Sequence, residues 1–335
     1  MAPALPRVAI IGTGGTISTV SRHPLDLFDY GPQGRILEVD ELIGRIPQIA
    51  QFAEVVPVRF RAIDSLDITQ RDWLDLVQVI HDTATRQAPL DGIVVTHGTG
   101  TLEETAYFLN LTLKTATTVV LVGAFRPLNV LGSDGPLNLL SAVRVAADAN
   151  ARSCGVLTVL AEEIHAARDV TKASGFNTGG FRTPDVGMLG SVGPSGQPSI
   201  YRRPTRPHTV DSEFDLRGVA SLPRVEIVLS YAQAGREAVD AFTAAGVKGI
   251  VVAGYATGRP SPSQETALDD AHRRGVRVFL STRGGSGVVP PHRSSGHHGF
   301  VTADNLNPQK ARVLAMLALG RTDRFEDLQA IFDRY

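Results

Sequence analysis

Short apolar runs recur along the first half of the chain, each followed by a small or polar turn and then by an apolar stripe at helical spacing. Residues 92–96 (GIVVT) form one such run, rich in β-branched side chains, and predict a buried parallel strand. His97-Gly98-Thr99-Gly100-Thr101 follows, and a helix is predicted to start at once. Leu102, Ala106, Leu109 and Leu113 share one helical face, and Thr101 and Glu104 have capping-box spacing. The chain opens the same way, with a strand over residues 7–11 (RVAII) and the turn Gly12-Thr13-Gly14-Gly15-Thr16. Further strands are predicted over residues 55–63, 118–122 and 155–160. Helices are predicted over residues 39–46, over 69–85 with Trp73, Leu76, Val77 and Ile80 near helical spacing, and from a capping Asp134 to about Asn150. Residues 163–172 fit either a strand or a hairpin arm. Residues 17–35 show no period and read as a long, lid-like loop.

Residues 187–222 change character: Pro194, Pro198, Pro204 and Pro207 argue against a regular element and mark a linker. A second α/β repeat follows, with strands expected over residues 225–230, 249–253 and 276–280 and helices over 236–245, 262–274 and 308–319. The expected architecture is α/β in two domains. A larger N-terminal domain with a parallel or mixed sheet covers residues 1–190 and carries both threonine motifs, a linker covers 191–222, and a smaller α/β domain covers 223–335.

The bulk numbers narrow the function. A formal charge of −1 leaves no electrostatic footprint for nucleic acid or a membrane surface. No apolar run approaches the roughly 20 residues of a membrane helix, and the first residues lack a secretory pattern. Cys154 is the only cysteine, which excludes an intrachain disulfide and fits a cytoplasmic protein.

The candidate chemistry lies in the two glycine turns. Strand ends in an open α/β sheet are where ligands sit beside free N–H groups, so the two turns are expected to face one pocket. Gly15 and Gly98 let backbone approach a ligand, and Thr16 and Thr99 supply small hydroxyls. A dinucleotide fingerprint fails because Ile17 stands where its third glycine belongs, and no phosphate-loop G-K-[ST] occurs. His292, His297 and His298 lie in a stretch without any acidic residue or cysteine between Arg283 and Thr302, so they read as solvated loop histidines and no metal site is expected. His97, one residue past a strand, reads as a hydrogen-bonded structural histidine.

One resemblance joins these pieces. TGGTI at residues 13–17, THGTGTLEETAYFL at 96–109, VGAFRP at 122–127, RDVTK at 168–172 and LNPQKARVL at 306–314 resemble the bacterial-type L-asparaginase family from the first strand to the C-terminal helix. The resemblance implies hydrolysis of a small-molecule amide by a threonine nucleophile, without metal or organic cofactor. It also implies a homotetramer of intimate dimers with active sites at the dimer interface. Thr16 matches the nucleophile, Tyr30 the tyrosine that assists it, Thr99 and Lys172 the second threonine and its lysine, and Ser65 a serine that holds the substrate's α-carboxylate. Gly15, Leu66, Gly98 and Gly100 are the remaining expected substrate contacts.

The chain departs from the family at four positions that largely grip the substrate's α-ammonium. Gly100 replaces an aspartate, Leu66 a glutamine and Thr257 an asparagine, and the segment over residues 283–298, from which a neighbouring subunit lends a glutamate, has no carboxylate. Together these losses predict a substrate without an ammonium, or one with an apolar substituent near Leu66; Arg283, His292 and Arg293 would favour an anion on that side. Gly100 also removes an anion from beside Lys172, which predicts a more readily neutral lysine. The alternatives are an ordinary L-asparaginase and a non-catalytic sensor on the same fold.

Overall fold

The computed structural model describes residues 4–30, 34–87, 89–291 and 299–335. The chain divides into two compact units, one ending at Leu216 and the other Arg217–Tyr335.

The first unit is built on an eight-stranded mixed sheet. In chain order its opening strands are β1 (Arg7–Gly14), a small antiparallel pair β2 (Thr19–Val20) and β3 (Arg35–Ile36), and β4 (Glu54–Ile63). Then come β5 (Gly92–Thr96), β6 (Thr118–Val122), β7 (Val156–Leu160) and β8 (Glu163–Ala166). A second small pair is β9 (Thr171–Lys172) with β10 (Phe181–Arg182), and β11 (Gly190–Val192) and β12 (Pro198–Ile200) follow. The main sheet runs β12-β11-β8-β7-β6-β5-β1-β4. Strands β5, β6 and β7 are buried at every position, as continuous apolar runs require when helices cover both faces. Helix α1 (Val39–Gly44) packs on β4, and α2 (Gln70–Arg86) packs on α3 (Leu102–Thr112). Trp73 of α2 stacks on Phe108 of α3 at 5.0 Å while its Nε1 donates to Thr105 Oγ1 at 2.8 Å, so burial leaves no indole N–H unpaired. Helix α4 (Gly135–Ala147) lies against β5, β6 and β7. Strand β4 takes the edge, where Pro57 costs no ladder hydrogen bond.

The position of β1 decides where a site can form. The chain runs from β1 to β4 on one side, then crosses to β5 on the other, and both neighbours are parallel to β1. The order reverses there, so the C-terminal ends of β4, β1 and β5 lie side by side at a switch point, where open α/β sheets hold ligands.

Three expectations change. Residues 191–222 are not wholly irregular, because β11 pairs with β8 and β12 with β11, completing the sheet edge antiparallel to its neighbours. Proline at 198 is compatible with the last strand of a sheet, which leaves one side without a partner. Thr101 is the residue before α3 but makes no side-chain cap; its Oγ1 donates to Ser65 O at 2.9 Å. Asp134 precedes α4 without capping it, since its carboxylate accepts from the backbone N–H groups of Phe125 and Arg126. The stretch 163–172 splits into β8 and β9.

The second unit holds a parallel four-stranded sheet: β13 (Val225–Leu229), β14 (Gly249–Gly254), β15 (Arg277–Thr282) and β16 (Val301–Thr302). Helices α5 (Glu237–Ala244), α6 (Pro262–Arg273), α7 (Pro308–Leu319) and α8 (Phe325–Arg334) accompany it. Ser261 and Gln264 form a full capping box at α6, with Pro262 at the first helical position. Helix α8 was not expected from the sequence; its Phe332 stacks on Phe279 at 5.0 Å.

The turns after β1 and β5 touch. A Cβ on Gly15 would lie 2.3 Å from both Cα and N of Gly98, and Gly15 has φ 77° and ψ 179°, a region essentially closed to other residues. Gly15→Ala is expected to destabilise the protein by about 3 kcal/mol or more, from backbone strain plus overpacking. Gly44→Ala, with nothing within 4 Å of the added Cβ, is expected to be neutral or stabilising by up to about 1 kcal/mol. Urea unfolding of both variants measures the contrast.

Candidate active site

Most of the candidate residues lie on turns that follow strands of the first unit. Beyond Gly12 the β1 ladder slips against β4, from Gly12 opposite Arg59 to Gly14 opposite Ile63. Gly14 turns with φ 91°, and the Gly15 N–H donates to Ile63 O at 3.0 Å. Thr16 then opens a single 3-10 turn, half-buried. Thr13 Oγ1 donates to Thr96 O at 2.7 Å, which ties the end of β1 to the end of β5. The lid-like loop brings Tyr30 back, and its Oη lies 2.7 Å from Thr16 Oγ1. Burial pushes the Tyr30 phenol above its usual value; the Thr16 hydrogen bond opposes this, and Asp64 and Asp134 add to the rise. The phenol therefore keeps its proton at neutral pH.

The second pair forms beyond β5. Thr99 is buried, and Lys172 Nζ lies 2.8 Å from its Oγ1. Lys172 sits on β9, opposite Phe181 of β10, with Nζ 5.0 Å from the centroid of the Phe125 ring. Burial pulls the Lys172 amine below the ordinary lysine value, and the negative charge of Glu103 acts the other way. Burial is the first cause of this shift, and a carboxylate is still present beside the amine. Glu103 is buried in the first turn of α3. Sequence reading passed over it because an acid in a helix's first turn normally answers the helix dipole. Phe125 was likewise given no role, although it lies in the VGAFRP stretch three residues after a buried strand.

The third wall is the turn after β4. Ser65 is buried, held by Thr101 through its carbonyl, while Asp64 accepts from the Leu66 N–H at 3.0 Å. A Cβ on Gly98 would meet Ser65 Oγ at 2.7 Å, and one on Gly100 would meet Ser65 Oγ at 2.9 Å and Leu66 Cδ2 at 3.3 Å. So Ser65, Leu66, Gly98 and Gly100 are neighbours, with the Leu66 side chain 78% exposed. Gly15, Thr16, Tyr30, Ser65, Leu66, Gly98, Thr99, Gly100 and Lys172 are thus linked through three adjacent turns and β9.

His97 is wholly buried, with Nδ1 2.8 Å from Gly98 O. Burial lowers its pKa to about 4, so it stays neutral and buttresses the turn. Thr257 is exposed on the Tyr255–Arg259 turn of the second unit, where Arg283 lies over the Tyr255 ring at 4.8 Å and donates to Ser230 O. His292, Arg293, His297 and His298 lie outside the described residues. Among the described residues no group of three or more His, Cys, Asp or Glu could hold a metal ion, and no helix is long and apolar enough to cross a membrane.

Two hydroxyls at the strand ends of an α/β sheet, one against a phenol and one against an amine, form a centre suited to acyl transfer to oxygen. Comparison with known proteins fixes the class. A family model described as "Asparaginase, N-terminal" matches residues 7–206, and one described as "Glutaminase/Asparaginase C-terminal domain" matches residues 224–332. The chain is 39% identical over 333 residues to L-asparaginase 2 of Bacillus subtilis (strain 168), covering 99% of this chain and 87% of that protein. It is 38% identical to a glutaminase-asparaginase of Pseudomonas fluorescens biotype A, covering 99% of this chain and 91% of that protein. The crystal structure named "Probable Cytoplasmic L-asparaginase" from Campylobacter jejuni superposes with a TM-score of 0.95 at 38% identity, covering 98% of this chain and 100% of that one. The chain belongs to the asparaginase family, and it is an amidohydrolase.

His97 gives a pH test of the turn. Its folded pKa of about 4 lies below the unfolded value of about 6.5, so the unfolded chain binds the extra proton between them. Its contribution is present above pH 6.5 and is expected to be lost as pH falls toward 4, by about 3 kcal/mol. Urea unfolding across that range should show a steeper acid loss in wild type than in His97→Gln.

Proposed function

We propose that Thr16 is the nucleophile of this amidohydrolase and that its substrate is a small carboxamide lacking the α-ammonium of L-asparagine. The observation that carries the chemistry is the meeting of the Thr16–Tyr30 and Thr99–Lys172 pairs on turns in backbone contact. Thr16 Oγ attacks the amide carbon and forms a C–O bond. Lys172, reached through Thr99 Oγ, is the base that accepts the displaced proton. Of the two titratable partners it alone is shifted toward its basic, proton-accepting form. Tyr30, held as the phenol, donates to the Thr16 oxygen. Backbone N–H groups of the glycine turns face the developing oxyanion. The amide nitrogen takes that proton back from Lys172 as the C–N bond breaks and leaves as ammonia; water then gives a proton to Lys172, attacks the acyl carbon and releases the carboxylate, and the proton returns to Thr16 Oγ.

Substrate choice rests on the wall beside Ser65. Leu66 and Gly100 bring no charge there, and an ammonium buried without a counter-charge costs several kcal/mol. We also propose that the protein is cytoplasmic, the location in the name of the Campylobacter jejuni relative, and a homotetramer, which light scattering on the purified protein measures.

Ammonia release is measured across L-asparagine, L-glutamine and succinamate, which is asparagine without its α-amino group. Succinamate is expected to be preferred, with kcat/KM on L-asparagine below about 10⁴ M⁻¹s⁻¹. A value above that, exceeding the value for succinamate, returns the chain to an ordinary L-asparaginase; no turnover of any amide alongside tight binding marks a sensor. Thr16→Ala is expected to abolish hydrolysis, and Lys172→Met to reduce kcat by about 10²–10⁴. The Gly100→Asp/Leu66→Gln double variant should shift the kcat/KM ratio toward L-asparagine.

A further inference from the structure

We propose that Glu103 is the positioning residue that seats Lys172 against Thr99 and holds the counter-charge for its ammonium form. Glu103 lies within the 96–109 stretch that carries the family resemblance, but no role was assigned to it there. Its kinetic consequence rests on the reading of Lys172 as the base.

The geometry comes first. Glu103 Oε1 lies 3.3 Å from the backbone nitrogen of Lys172 and 3.3 Å from Thr171 Oγ1, and both groups donate to it. One buried oxygen thus grips both residues of β9 from the first turn of α3. Glu103 lies four residues after Thr99, just past the turn. The segment that presents the hydroxyl therefore also carries the anchor for the amine. Lys172 is set relative to Thr99 by one short piece of chain rather than by two independent loops.

The surroundings of the amine explain why this acid matters. Lys172 Nζ faces the Thr99 hydroxyl and, at 5.0 Å, the π face of Phe125, itself packed edge-on against Phe181. Across the strand pair, Arg182 is opposite Thr171 and directs its guanidinium to Phe181 O and toward Glu163. Arg168 pairs with Asp169. Residue 100 is glycine and supplies no charge. The anion that acts on Lys172 is Glu103. Burial favours the free amine, while Glu103 and the Phe125 ring favour the ammonium. Glu103 therefore tunes the pH at which the base becomes available and fixes where it sits.

Glu103→Gln removes the charge and keeps one carbonyl oxygen to accept from β9, so it separates tuning from scaffolding. The chain has only four lysines, Lys114, Lys172, Lys248 and Lys310, so 13C-lysine labelling gives a resolvable NMR titration, with the Lys172 signal assigned by its loss in Lys172→Arg. In Glu103→Gln the Lys172 titration is expected to move down by about one unit. The acid limb of kcat/KM should move down with it, so that below the wild-type limb the variant is faster, by up to about tenfold. Glu103→Asp, which retains the charge one methylene shorter, should keep the limb near its wild-type position and lower kcat. An unmoved Lys172 titration in Glu103→Gln, with kcat lowered equally at all pH values, overturns the proposal and leaves Glu103 a simple strut. A moved titration with an unmoved rate limb upholds Glu103 and removes Lys172 as the base.

Discussion

The contact between Gly15 and Gly98 is the constraint on which the site depends. Two turns leaving neighbouring parallel strands normally splay by the width of their side chains. Here neither turn has a side chain at the point of approach, and a Cβ on Gly15 would fall 2.3 Å from the opposing backbone. Closing that gap brings Thr16 and Thr99, each the next residue in sequence, to one crevice. The place of each threonine is set by backbone, which has few alternatives, rather than by a long side chain, which has many. The hydrogen bonds from Thr13 to Thr96 O and from Thr101 to Ser65 O fasten the same three turns from either side.

On that frame electrostatics divides the labour. Burial moves Tyr30 and Lys172 in opposite directions because one is neutral when protonated and the other when deprotonated. Burial thus favours the protonated phenol beside one threonine and the free amine beside the other. Glu103 opposes the loss of charge on the lysine.

Much of this was legible in the sequence. The fully buried strands announce themselves as unbroken apolar runs, and the glycine turns mark their ends. The family resemblance rests on those turns together with the RDVTK stretch, and the matching family models cover both units. What stayed hidden was the use of polar groups. Thr101 looked like a helix cap because spacing shows only what is near in sequence; its true partner is Ser65, across the crevice. Asp134 spends its carboxylate on two backbone N–H groups of the preceding loop, a choice invisible without the fold. Strands β11 and β12 are too short and too rich in glycine and proline to show a period, and only the exposed edge of β8 makes them strands. Glu103 was masked by the helix rule that so often explains an acid in that place.

The order of the strands along the chain has a consequence for biosynthesis. Thr16 follows β1, the earliest strand of the sheet in chain order, whereas Ser65, Thr99 and Lys172 follow β4, β5 and β8 in turn. The first strand finds its ladder only after two much later segments flank it, so its contacts are distant in sequence and slow to close. The proposed centre is therefore complete only once β9 has been made. Until then, the apolar faces of β1 and β5 are the surfaces a chaperone would have to shield.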